Sequence, residues 1–230
     1  MESNLDGAVS TAEAGVKICF DGTAAQYCTV YSSTMAVESD YFVAVNIEFG
    51  NTAPMPDGKR EGAQAVAMRI SGDKAAFYNC KFTGYQDTLC DDKGKHFFKD
   101  CYIQGTVDFI FGNGQSLYLD TTIRSVSNGI GVITAHAIEN ESEESGFTFV
   151  HCSIIDIGKT KLGRAWKQRP RVIFAHTYVD TVVSSTEGWS VDMGDDLFII
   201  ESTSVGDPGQ VLLVEPNLLG CYLMKKRNRF

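Results

Sequence analysis

The 230-residue sequence has no apolar run approaching the ~20 residues that a membrane-spanning helix requires. It is also short of positive charge: 20 Lys and Arg stand against 29 Asp and Glu, for a net charge of −9. That balance argues against nucleic acid, whose binding is dominated by Lys and Arg contacts to phosphate, and it disfavours strong attraction to a fully ionised polyanion. None of the seven cysteines (19, 28, 80, 90, 101, 152 and 221) forms a CxxC pair, which removes the usual framework for zinc. A G-x-S-x-G elbow is missing, so a serine hydrolase of that kind is excluded. Gly112-Asn113-Gly114 lacks the third glycine of a dinucleotide loop, and there is no P-loop. Runs of Ala, Leu, Glu and Lys at helical spacing are lacking too. The first seven residues, Met1 to Gly7, have neither the basic nor the apolar region of a signal peptide.

What is present is a repeat. Residues 75–112 hold two copies of one unit. Each opens on an aromatic segment, then Asn79-Cys80 or Asp100-Cys101, then Phe82 or Ile103, then Gly84 or Gly105, then an acid. Asp87 follows Asn79 by eight residues, and Asp108 follows Asp100 by eight. Related steps surround Asn46, Asp120, His151 and His176. The polar markers are separated by 33, 21, 20, 31 and 25 residues. A period near twenty, with short segments and variable insertions, is the signature of a solenoid. The Phe, Tyr, Val, Ile and Thr of each unit favour strands. The expected fold is all-β, a right-handed parallel β-helix, and an antiparallel sandwich is the alternative that the repeat leaves open.

Residues 1–16 read as a poorly ordered leader, 17–209 as the β-helix domain and 210–230 as a divergent tail. Segments 16–20, 27–31, 41–49 and 64–70 read as strands, residues 51–62 as a loop and residues 138–146 as an acidic surface turn. Asn140 begins an N-x-S site, meaningful only in a secreted chain. Cys80 and Cys101 hold equivalent places and are expected to stack inside as small apolar residues, with a disulfide as the other option. His151 and His176 sit at marker positions, which points to structural roles.

The chemistry left is acidic. Stacked units bring Asp87 and Asp108 into register, and two carboxylates so close have pKa values that split. Arg164, in Leu162-Gly163-Arg164-Ala165-Trp166, is the natural cation to keep one ionised, and Trp166 a platform for a sugar ring. The plainer alternative is that both acids bond turn amides.

Four ordered blocks carry a family resemblance: Gln64-Ala65-Val66-Ala67, Gly84-Tyr85-Gln86-Asp87-Thr88-Leu89, Asp108-Phe109-Ile110-Phe111-Gly112 and the Arg164 block. They resemble the signature blocks of plant pectin methylesterases, with Ala165 where the family commonly has Pro. The resemblance covers roughly residues 16–209. It implies a β-helix and demethylation of galacturonate esters in pectin. By the same match, Asp108 is the nucleophile, Asp87 the acid and base, Gln86 with Gln64 the oxyanion donors, and Arg164 the orienting cation. Trp166 would stack on sugar, with Tyr85 and Phe109 lining the cleft. No metal or cofactor is implied, and the expected setting is the extracellular cell wall, with pectin and a pectinesterase inhibitor protein as partners and neither nucleic acid nor membrane. The family's G-x-Y-x-E block and its C-terminal segment are not recognisable, so the alternative is a partial, catalytically silent chain that binds pectin or a protein.

Overall fold

The computed structural model describes residues 15–140, 142–155, 159–167 and 170–179, with the backbone of two further strands, Trp189–Ser190 and Leu197–Glu201. Residues 1–14 of the expected leader, the tail at 210–230 and Cys221 lie outside the described residues; Val16, expected at the leader's end, instead opens the first strand.

Successive strands do not pair with each other. The chain visits three sheets in turn and then returns to the first, one layer further on. The first sheet runs from Val16–Phe20 to Tyr178–Val179, the second from Met35–Val37 to Trp189–Ser190, and the third from Val43–Val45 to Leu197–Glu201. Each has seven strands, and every pairing among the described residues is parallel. This is the right-handed parallel β-helix, and the sandwich alternative is excluded.

Register follows from what each coil turns inward. In the first sheet Phe49, Phe82, Ile103, Ile123 and Ile154 form one buried column. In the third, Phe77, Phe98, Tyr118, Phe149 and Phe174 stack ring on ring, with centroids 5.0, 4.5, 4.5 and 4.7 Å apart. Aromatic pairs add ~0.5–1.5 kcal/mol each beyond the area they bury, and a slip of one residue would turn the whole column to solvent.

The polar markers are the corners from the third sheet to the first. Asn46, Asn79, Asp100, Asp120, His151 and His176 all have left-handed backbone, with φ between 50° and 58°. Asn, Asp and His enter that region more readily than most residues. The backbone N–H of Asn79 donates to the Lys99 carbonyl (3.0 Å) and that of Asp100 to the Leu119 carbonyl (3.1 Å), so each corner is tied to the next coil. Outside, the His151 and His176 rings stack at 5.1 Å. Inside, Cys80, Cys101 and Cys152 are buried free thiols, so no disulfide joins the first two.

Three expected strands differ. Residues 27–31 are no strand: the helix Ala24–Tyr27 is followed by the 3-10 turn Thr29–Ser32. Cys28, at φ 64°, breaks the extended path, and the amide of Asn51 holds the turn through the carbonyls of Ser32 (3.2 Å) and Val66 (3.0 Å). Residues 41–49 are split at the Asn46 corner into Val43–Val45 and the start of Ile47–Asn51. In 64–70 only Met68–Ile70 is a strand, because residues 64–67 serve as the corner beneath Asp87.

A buried polar cluster pins the corner between the second and third sheets. Tyr118 Oη donates to Asp91 Oδ2 (2.6 Å), His96 Nδ1 meets Asp91 Oδ1 (2.5 Å), and His96 Nε2 bonds the Gly72 carbonyl (2.8 Å). Both ring nitrogens of His96 thus face acceptors; burial lowers its pKa, but the hydrogen bond to Asp91 and the Asp91 charge, with the Gly72 carbonyl, together raise it. His136, one corner on, accepts the Arg171 N–H at Nδ1 (3.0 Å) and stays neutral, with burial pushing its pKa down to about 4.

Candidate active site

Asp87 and Asp108 occupy the corner from the first sheet to the second. Both have left-handed backbone, at φ 64° and 52°. Leu89 pairs with Ile110, which places the two acids one above the other, and the Asp87 N–H donates to the Val107 carbonyl (3.1 Å). Two glycines make the corner tight. A Cβ at Gly84 would come within 2.9 Å of Thr88 Oγ1, and one at Gly105 within 2.1 Å of Phe109 Cβ. The chain can fold back under each acid only where no side chain intervenes.

Arg164 arrives from far along the sequence. It stands on Lys159–Ala165, in register with Ala135 and, through it, with Phe111. Its Nε donates to Asp108 Oδ1 (2.7 Å) and its Nη2 to Asp108 Oδ2. This two-pronged contact fixes the plane of the Asp108 carboxyl group. Among the described residues Asp87 has no such partner. Burial, and then the Asp108 charge, push its pKa up to about 8, while Arg164 opposes them. At neutral pH Asp87 is therefore held as the protonated acid beside Asp108.

The two acids open into a cleft of about 280 Å³, lined also by Gln64, Gln86, Arg164 and Trp166. Thr29, Val30, Phe111 and Ala135 complete the lining. Val66, Cys90, Phe111 and Ala135 form a small apolar cluster, with Val30 packed on it, separate from the main core. Phe111 and Ala135 of this cluster, with Val30, form the apolar floor of the cleft. Trp166 is 42% exposed and meets Phe111 edge to face at 5.7 Å.

Six of the eight expected site residues are thus brought together. Phe109 is not: its side chain lies fully buried in the main core. The left-handed turn at Asp108 resets the inside–outside alternation, so Phe109 and Ile110 both point inward and Phe111 faces the cleft. Tyr85 is half-buried and lies outside the cleft lining. Its carbonyl accepts the Thr106 N–H (2.9 Å) and the Thr88 hydroxyl (3.2 Å), which is a corner role. Thr29 and Val30 carry no local signal in sequence, because only the folding of their turn onto the floor brings them here.

Fold and site together define a β-helix protein with a stacked carboxylate pair steered by one guanidinium. The sequence profile described as Pectinesterase matches residues 6–207, and the chain belongs to the pectinesterase family. It is similar to a pectinesterase-like protein of Arabidopsis thaliana (62% identical over 173 residues, covering 75% of this chain and 51% of that protein). Pectinesterase 2 of Olea europaea is 56% identical over 173 residues, covering 75% and 47%. Among solved structures, the pectin methylesterase from carrot superposes with a TM-score of 0.73 at 28% identity, over 85% of this chain and 66% of that one. The Aspergillus niger pectin methylesterase does so with 0.76 at 30% identity, over 86% and 67%. The chain spans about half the length of the curated relatives it matches.

Proposed function

We propose that this chain hydrolyses the methyl esters of galacturonate units in pectin, and that it does so in the plant cell wall. The observation that carries this reading is the division of labour in the acid pair: Asp108 gripped by Arg164, and Asp87 protonated beside it. The Asp108 carboxylate attacks the ester carbonyl carbon. Negative charge builds on the carbonyl oxygen, where the side-chain amides of Gln86 and Gln64 donate. As the intermediate collapses, the C–O bond to methoxide breaks and Asp87 gives its proton, releasing methanol. The acyl–Asp108 anhydride is then attacked by water. Asp87, now a carboxylate, takes the water's proton, and Asp108 is freed along with the galacturonate carboxylate. Trp166 stacks on the sugar, and Arg164 keeps Asp108 aimed throughout. A pectinesterase inhibitor protein would dock across the same cleft.

Methanol release from methyl-esterified pectin tests the reading. Asp108→Asn keeps the size of the side chain and removes the attacking charge, so turnover should vanish while the circular dichroism of the fold persists. Normal methanol release by that variant would remove Asp108 from the chemistry. Pectin binding without release by the wild type would instead favour a silent, pectin-binding chain.

A further inference from the structure

The two glutamines of the cleft reach it by different routes. Gln86 lies in residues 84–88, the short corner between Lys81–Thr83 and Leu89–Asp91. Gln64 lies one coil earlier, where the corner between Ile47–Asn51 and Met68–Ile70 is enlarged to residues 52–67. A tight corner aims its residues by itself. The returning end of a long loop does not, because loops move more than the elements they join. Gln64 therefore needs ties from outside its own loop.

Those ties converge on one side chain. Asn51, the last residue of its strand, is 4% exposed. Its Nδ2 donates to the carbonyls of Gly22 (3.0 Å), Ser32 (3.2 Å) and Val66 (3.0 Å), and its Oδ1 accepts the Ala53 N–H (3.0 Å). Carbonyls on one side and an N–H on the other settle which way round the amide lies. All three acceptors belong to segments that build the cleft. Gly22 leads into the helix Ala24–Tyr27, and the Ala24 N–H donates to the Gln64 carbonyl (2.8 Å). Ser32 closes the turn that carries Thr29 and Val30. Val66 stands two residues after Gln64, and its own N–H donates to Ser32 Oγ (3.1 Å). Between them, the Ala65 N–H donates to the Gln86 carbonyl (3.1 Å), which joins the backbones of the two glutamines.

We propose that Asn51 is a positioning residue for the oxyanion donors. It lies outside the cleft lining and acts through the main chain: its amide holds the segment that bears Gln64 against the Gln86 corner. A buried amide is costly unless its bonds are made, and here they are made to the segments around the cleft. An oxyanion donor contributes in proportion to how well it is aimed before charge develops. The oxygen that Gln64 serves rests on the esterase reading above; the hold of Asn51 on Gln64 does not.

Methanol release by wild type, Asn51→Ala, Gln64→Ala and the double variant tests this, with rates referred to the folded fraction by circular dichroism. Gln64→Ala should lower kcat by about 100-fold, as loss of one oxyanion donor does, and Asn51→Ala by about tenfold, because the donor is displaced rather than removed. KM should stay within about twofold in Asn51→Ala, since the contact it aims is made in the transition state. The double variant should be no slower than Gln64→Ala alone, because nothing is left to aim. Losses that multiply, or a normal kcat in Asn51→Ala, would overturn the proposal. Should Asn51→Ala fail to fold, Ser32→Ala removes only the hydroxyl that holds the Val66 N–H, and the same cycle run with it decides alone. A second readout needs no turnover: the side-chain amide proton signals of Gln64, assigned by their loss in Gln64→Ala, should shift or broaden in Asn51→Ala, or in Ser32→Ala where that variant takes its place. Unchanged signals refute the hold. If the wild type releases no methanol while those signals respond, the esterase reading fails and the positioning stands; release with multiplying losses does the reverse.

Discussion

Asp87 and Asp108 are the same residue type one coil apart, yet their neighbours differ: Arg164 grips Asp108 with two donors, and burial raises the pKa of Asp87. The pairing of the two acids and their common cation could be read from the sequence, because the eight-residue offset from each corner marker fixes their register. Which acid Arg164 grips is geometry: its Nε and Nη2 both reach Asp108 and neither reaches Asp87. The inward turn of Phe109 was not legible, since it depends on a left-handed residue that alternation rules ignore. Two measurements belong at this scale. If protonated Asp87 is the general acid, kcat/KM must fall as pH rises through about 8, where that proton is lost; an activity flat to pH 10 would assign the acid elsewhere. Arg164→Lys keeps the charge without the planar fork. It should cost ~2–4 kcal/mol of transition-state stabilisation, nearly as much as Arg164→Ala. A Lys variant close to wild type in kcat would mean that charge alone suffices.

At the scale of the element, the corner does the positioning. Most strands could be read from sequence because each coil alternates inward aromatic and outward polar residues over a few positions. The 3-10 turn Thr29–Ser32 could not, because Tyr-Cys-Thr-Val-Tyr has strand composition and is overruled by bonds from Asn51, some twenty residues away. The glycines were legible as corners, but not the reason for them. Gly105 is needed because a Cβ there would collide with Phe109 Cβ and lie 2.6 Å from the Tyr85 carbonyl oxygen. Both contacts belong to the segments that carry the two acids. Gly105→Ala should therefore destabilise the fold by ~1–3 kcal/mol, as overpacking does, and depress turnover further by displacing Asp108. Gly129→Ala, where an added Cβ would meet nothing within 4 Å, is the matched control and should leave melting temperature and kcat unchanged. Indistinguishable behaviour of the two variants would show that the corner is slack.

Across the whole molecule, the β-helix was legible because one period governs every layer, and repetition turns a weak local signal into a strong global one. The buried polar cluster was not, since Asp91, His96, Tyr118 and His136 look like ordinary strand and loop residues until three coils are stacked. That cluster makes stability depend on pH in two opposed ways. His96 has a raised pKa, so its contribution is fully present below its unfolded value of 6.5 and is lost as pH rises through the folded one. His136 is buried neutral and its pKa is pushed down to about 4. Between pH 6.5 and 4 the unfolded chain takes up a proton there and the native chain does not, so stability falls on acidification, by about 3 kcal/mol over that span. In a chain of this size that is a drop in melting temperature of roughly 10 °C. His136→Asn offers an acceptor near the place of Nδ1 for the Arg171 N–H and cannot be protonated. It loses the edge contact with Phe147, 4.6 Å between centroids, at every pH. Its melting temperature should therefore start lower at pH 7 but decline less steeply towards pH 4. Carboxylate titration is common to both proteins, so the difference between the two curves isolates the histidine. Parallel curves would mean that His136 takes its proton in the native state as readily as in the unfolded one, and that burial at this corner does not hold it neutral.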